Sequence, residues 1–224
     1  QNQPQLIMET ARPALSELKA GQQQFRLYEV SAALTLFAML LGGLIACGIA
    51  TTNRGFTTLW VGEDLFGGAA LTMALVVNML LRLWNVTAIN AIFAFGYERR
   101  ISLTTLADGV LTCGLILLLV PRVGLIGAPL ASIGSVLVVS LPWNLSALAK
   151  EGGVSLARQA FGLGGWFLRF ALVIGLAIWA ESVLAPTTVV AVAAAALVVT
   201  SVYGVVMLPL CRRPPLAGYL QPVI

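Results

Sequence analysis

The sequence predicts an all-α polytopic membrane protein, a bundle of about six transmembrane helices, and three observations carry that prediction. The 224 residues are 59% apolar and only 10% charged, with a mean hydropathy of +0.94. A soluble domain carries roughly a quarter charged residues, so too few polar groups are present to cover a water-facing surface. The apolar residues also fall in runs with few charges, each long enough to cross a bilayer at about 1.5 Å per residue. Finally, the basic residues gather in alternate breaks between those runs.

Six runs follow in order, over residues 30–52, 66–95, 101–120, 125–149, 166–185 and 187–210. The first ends at Asn53-Arg54-Gly55 and the second at Gly96-Tyr97-Glu98-Arg99-Arg100. Pro121-Arg122 closes the third, and Lys150-Glu151-Gly152-Gly153 closes the fourth. A turn at Pro186 separates the fifth from the sixth, which stops at Cys211-Arg212-Arg213-Pro214-Pro215. Continuous apolar runs of this length fit helices, whereas barrel strands alternate over about ten residues. A helix also satisfies its own backbone hydrogen bonds within one segment.

The expected organisation is a segment 1–28, helices one to four over 29–149, a loop or amphipathic helix over 150–165, helices five and six over 166–211, and a tail 212–224. Arg12, Lys19, Arg26, Arg99, Arg100, Lys150, Arg158, Arg212 and Arg213 lie on one side, against Arg54 and Arg122 on the other. This asymmetry puts both termini in the cytoplasm of a multi-pass bacterial inner-membrane protein. The N-terminus lacks an initiator Met and a signal-peptide pattern, so the chain reads as the C-terminal part of something longer. Trp60, Trp143, Trp166 and Trp179 fall near span ends, as interfacial anchors do.

Composition also excludes chemistries. Without histidine, and with Cys47, Cys113 and Cys211 isolated in apolar stretches, no metal or cofactor site is expected and the cysteines read as small buried hydrophobes. No basic stripe accompanies the net charge of +4, so nucleic acid is not an expected partner. No nucleophile–base arrangement or pair of carboxylates points to an enzyme.

Four charged residues stand inside the runs; Arg169 and Glu181 lie near the two ends of the fifth, and Arg82 and Asp108 lie deeper. Arg82 lies near the middle of the second, where a lone cation costs about 2.5–3.5 kcal/mol on insertion scales. Asn78 and Asn85 flank it at offsets that share one helical face. Such a face suits a phosphate-binding cavity, because a guanidinium forks onto phosphate oxygens. It equally suits a structural node between helices. Asp108, inside the third run, is placed to pair with Arg82, to take up a proton, or to bind a cation. In the fourth run Gly127, Ala131 and Ser135 recur every four residues, leaving a smooth face for close helix packing, and Pro142 predicts a kink.

Pro13-Ala14-Leu15-Ser16-Glu17-Leu18, Asn53-Arg54-Gly55-Phe56-Thr57-Thr58-Leu59-Trp60-Val61-Gly62 and Gly124-Leu125-Ile126-Gly127-Ala128-Pro129-Leu130-Ala131-Ser132 resemble, in order and spacing, polysaccharide flippases of the multidrug/oligosaccharidyl-lipid/polysaccharide exporter superfamily. The resemblance covers roughly residues 10 to 150. It implies one lobe, the C-terminal half, of a two-lobed transporter that turns a lipid-linked oligosaccharide on an isoprenoid pyrophosphate from the cytoplasmic to the periplasmic leaflet during surface polysaccharide (lipopolysaccharide-type) biosynthesis. It further implies alternating access coupled to a proton or sodium ion. Arg82, Asn78 and Asn85 would then line the cavity as substrate-binding residues, with Asp108 a candidate for ion coupling. Alternatives are an ion-coupled drug or metabolite antiporter of the same superfamily, a membrane-embedded polysaccharide polymerase, and a structural membrane subunit.

Overall fold

The computed structural model describes residues 24–184, 188–212 and 216. The N-terminal segment, with its Pro13–Leu18 stretch, the Pro186 turn and most of the tail lie outside the described residues. Among the described residues there are helices and no strands, arranged as a polytopic bundle. The helices are α1 (Gln24–Trp60), α2 (Ala69–Phe93), α3 (Glu98–Val123), α4 (Gly127–Ser135), α5 (Leu141–Gly152), α6 (Leu156–Gly162), α7 (Gly164–Leu184) and α8 (Val189–Cys211).

Three of the long helices, α1, α2 and α8, are single crossings, and α7 supplies another over Gly164–Ser182. The continuous helical run from Glu98 to Gly152 is 55 residues long. At about 1.5 Å per residue it greatly exceeds a hydrocarbon core of about 30 Å. The chain reverses instead at Gly124, whose φ of 72° and ψ of −156° end α3. A side chain is strained there, and glycine is not. After the short turn Gly124–Ile126 the fourth pass descends against the third as α4, a π turn over Val136–Ser140, and α5. Gly127 permits this approach: a Cβ at that position would lie 2.8 Å from the backbone carbon of Leu119 and 2.8 Å from the nitrogen of Val120. Ala131 and Ser135, the next members of the small-residue series, are wholly buried.

Just before Pro142, where a kink is expected, the structure has a π turn. Proline cannot donate to the carbonyl four residues back, so the helix widens just before it. The Leu141 N–H then reaches the Val136 carbonyl, five residues back, in the π turn.

At the centre stands α1, packed by α2, α7 and α8. Gly42 and Gly43 let the neighbours close in: a Cβ on Gly42 would touch Leu83, and one on Gly43 would meet the Tyr203 hydroxyl and come within 2.9 Å of Trp166. Outward faces of α3, α7 and α8 carry exposed Leu and Val, as a lipid-facing surface requires.

Several expectations change. The first helix does not stop at Asn53-Arg54-Gly55 but runs to Trp60. Asn53 donates to Thr72 Oγ1 at 2.8 Å and Arg54 pairs with Glu63 at 3.3 Å, so polar side chains are satisfied on a continuing helix. Segment 150–165 resolves into a tight left-handed stop at Gly153, with φ 62°, and the short helix α6, whose N-cap Ser155 accepts from the Arg158 N–H. Trp60, Trp143 and Trp179 are exposed near helix ends, whereas Trp166 is completely buried. It stacks on Phe170 with centroids 4.8 Å apart and donates to Tyr203 at 3.2 Å, so it is a core residue and no anchor. Of the cysteines only Cys47 is buried; Cys113 is exposed on α3.

The two ends of the bundle differ in charge. Arg99, Arg100, Lys150, Arg158 and Arg212 outnumber Glu29, Glu98 and Glu151 at the end where α1 begins, and there the Tyr97 hydroxyl donates to Glu151 at 2.6 Å. The opposite end carries Arg54, Glu63, Asp64, Arg122 and Glu181.

Candidate functional site

Arg82 and Asp108 meet. The arginine arises from the middle of α2, and its side chain spans the gap to α3, where its Nη1 donates to Asp108 Oδ2. Nη2 reaches Asp108 Oδ1 and Thr112 Oγ1, each at 3.5 Å. The fourth pass completes the cluster. Ser132 Oγ on α4 accepts from Arg82 Nε at 3.1 Å and from Nη2 at 2.9 Å. Ser135, one turn further on, shares its hydroxyl proton between Asp108 Oδ1 at 2.6 Å and the Asp108 backbone carbonyl at 2.8 Å.

Local sequence explains the assembly. Ser132 and Ser135 sit in the second half of the short helix α4, held against α3 by the hairpin at Gly124 and the bare surface of Gly127. The hairpin therefore delivers both hydroxyls to Asp108. Asp108 and Thr104 are the buried members of α3, a helix otherwise open to its surroundings. Burial is unequal across the ion pair: the Asp108 side chain is 7% exposed and that of Arg82 is 33% exposed.

Each nitrogen of the guanidinium has a partner, so in this conformation Arg82 does not present a free anion site. Asn85 is drawn elsewhere. It is buried and accepts from Asn144 Nδ2 on α5 at 2.9 Å. Asn78 is half-buried, and its Oδ1 is a buried acceptor with no hydrogen-bond partner. The three residues do not converge on one ligand: Arg82 engages α3 and α4, while Asn85 engages α5. Of the three roles open to Asp108 in the sequence, the geometry displays pairing with Arg82.

Hollows of about 330, 560 and 470 Å3 are lined by other residues. The first lies at the basic end between α1, α2, α5 and α6 and includes Glu29, Trp84, Arg158 and Gln159. No family model, curated protein or solved structure matches the chain.

Sequence reasoning picked out Arg82 and Asp108 because charge inside an apolar run is visible. It missed Ser132 and Ser135 as their partners, having read Ser135 as part of a packing face. The signal was present: two hydroxyls three residues apart fall on one side of a helix, as Asp108 needs. Asn144 was missed as well. It stands two residues after Pro142, inside an apolar stretch where an amide needs a partner.

Proposed function

We propose that these helices form one wall of a transporter that turns a lipid-linked oligosaccharide, carried on an isoprenoid pyrophosphate, from the inner to the outer leaflet of a bacterial cytoplasmic membrane. The observation that carries this reading is the position of Ser132. It is the last residue of the Gly124–Ser132 stretch that resembles polysaccharide flippases, and it takes two hydrogen bonds from Arg82. The resembling segment thus supplies a partner to the membrane-embedded ion pair.

The open third of Arg82 adds support. Lipid tails cannot hydrate a guanidinium, so that surface suits a water-filled path or a further part of the transporter. Along such a path Asp108 and a pyrophosphate compete for one arginine. A proton or sodium ion that neutralises Asp108 frees Arg82 for the substrate, which couples ion entry to pyrophosphate capture. The antiporter alternative wants a carboxylate that answers to its ion alone, and Asp108 is already held by Arg82 and Ser135.

Surface-polysaccharide export in cells that depend on this protein tests the reading. Arg82→Ala abolishes export with the protein still present in the membrane, and Arg82→Lys retains a part, since an ammonium keeps the charge but loses the fork. Undiminished export in Arg82→Ala removes the arginine from transport. Undiminished export after deletion of the whole gene removes the function.

A further inference from the structure

The hollow of about 330 Å3 at the basic end is separate from the Arg82 cluster. Buried Leu36, Ala88 and Leu163 form part of its apolar wall, while exposed Glu29 and Arg158 stand at its rim. Neither rim charge has an ion-pair partner among the described residues.

Gln159 gives the hollow its chemistry. The residue is 8% exposed and lines the cavity. Its Nε2 donates to the backbone carbonyls of Val154 at 3.2 Å and Leu145 at 3.4 Å. Both neighbours are acceptors, so the amide is oriented with nitrogen toward them. Its Oε1 is left buried and without a partner. A buried acceptor of this kind is costly unless a donor arrives.

We propose that the hollow binds the headgroup of a zwitterionic phospholipid bearing a primary ammonium, of the phosphatidylethanolamine type. The ammonium donates to Gln159 Oε1 and faces the Glu29 carboxylate. The phosphate faces Arg158, and the first methylenes of the acyl chains lie on the apolar wall. Charge selects this ligand over others. Among the described residues the rim charges, Glu29 and Arg158, sum to zero, which matches a zwitterion, whereas a pyrophosphate would bring several negative charges beside Glu29. A quaternary ammonium has no N–H for Gln159, and a purely apolar molecule would leave its oxygen unsatisfied. The site stands whether or not the protein moves oligosaccharides.

Native mass spectrometry of the purified full-length protein, offered equal mixtures of phosphatidylethanolamine, phosphatidylcholine and phosphatidylglycerol, tests it. Retention of phosphatidylethanolamine about tenfold above phosphatidylcholine is expected, because a charge-assisted hydrogen bond distinguishes them. Gln159→Leu, which removes the acceptor, erases that preference, whereas Glu29→Gln and Arg158→Gln, both at exposed positions, lower retention of the two zwitterionic lipids alike. Equal retention of the choline lipid overturns the proposal by removing the donor. A preference for phosphatidylglycerol overturns it in favour of general attraction to the basic end. Unchanged preference in Gln159→Leu, unchanged retention in both rim variants, or no retained lipid at all overturns it too.

Discussion

Ser135 donates to Asp108 at 2.6 Å from the opposite arm of the α3–α4 hairpin, so the carboxylate is held on one side by a hydroxyl and on the other by Arg82. Removing one partner of such a pair strands the other. Asp108→Ala is expected to destabilise the protein by about 3 kcal/mol, the lower end for a broken buried pair because Arg82 keeps some exposure. Replacing Arg82 and Asp108 together by Met and Leu costs much less, since no charge is left behind. Unfolding in detergent, followed by helical circular dichroism, compares the three proteins.

The hairpin itself rests on Gly127. A methyl there would sit 2.8 Å from backbone atoms of Leu119 and Val120, which cannot turn aside as a side chain can. Gly127→Ala is expected to cost about 1–3 kcal/mol. Gly134→Ala provides the contrast, because its new methyl would meet only a Leu115 side-chain carbon at 3.6 Å. The two variants should separate clearly in melting temperature.

A double-mutant cycle tests the core around α1. A Cβ on Gly43 would collide with the Tyr203 hydroxyl, which is fixed by donating to the Leu40 carbonyl at 2.8 Å and accepting from Trp166. Gly43→Ala is therefore destabilising, by about 1–3 kcal/mol. In a Tyr203→Phe background the obstructing oxygen is gone, and the same substitution costs less. Additive effects would show that the two residues do not meet.

How far the sequence foretold this arrangement depends on what each residue reveals by itself. Run lengths exposed the passes, and Arg82 and Asp108 announced themselves as charges in apolar surroundings. The rotation of an aromatic about its helix was not legible. Trp166 lies near a span start, yet it points inward to Phe170 and Tyr203 while Trp143 points out. Asn53-Arg54-Gly55 reads as a break because such residues favour turns, but Thr72 and Glu63 from the following segments satisfy them on a helix. Those partners are tertiary, and no local pattern contains them. The same holds for Gln159, whose orphaned oxygen arises only once two carbonyls have claimed its nitrogen.

Tyr97 offers a pH test outside the spans. Its hydroxyl donates to Glu151, and that hydrogen bond, followed by burial and the nearby carboxylate charge, raises its pKa above the usual 10.0, with Arg100 opposing. A raised pKa in the folded state means folding favours the protonated phenol. The stabilisation is thus fully present below about pH 10 and lost as pH rises through the folded value. Wild type should melt above Tyr97→Phe at neutral pH and converge with it at strongly alkaline pH, as read from melting temperatures across a pH series.

The sharp reversal at Gly124 also bears on how the chain reaches the bilayer. Because so few residues join α3 to α4, the two arms are suited to entering it together, as one hairpin that places the Ser135 hydroxyl beside Asp108. An acidic helix then draws on its successor in the chain: a break introduced at the tip would part that carboxylate from Ser135 and leave it to Arg82 on the preceding helix.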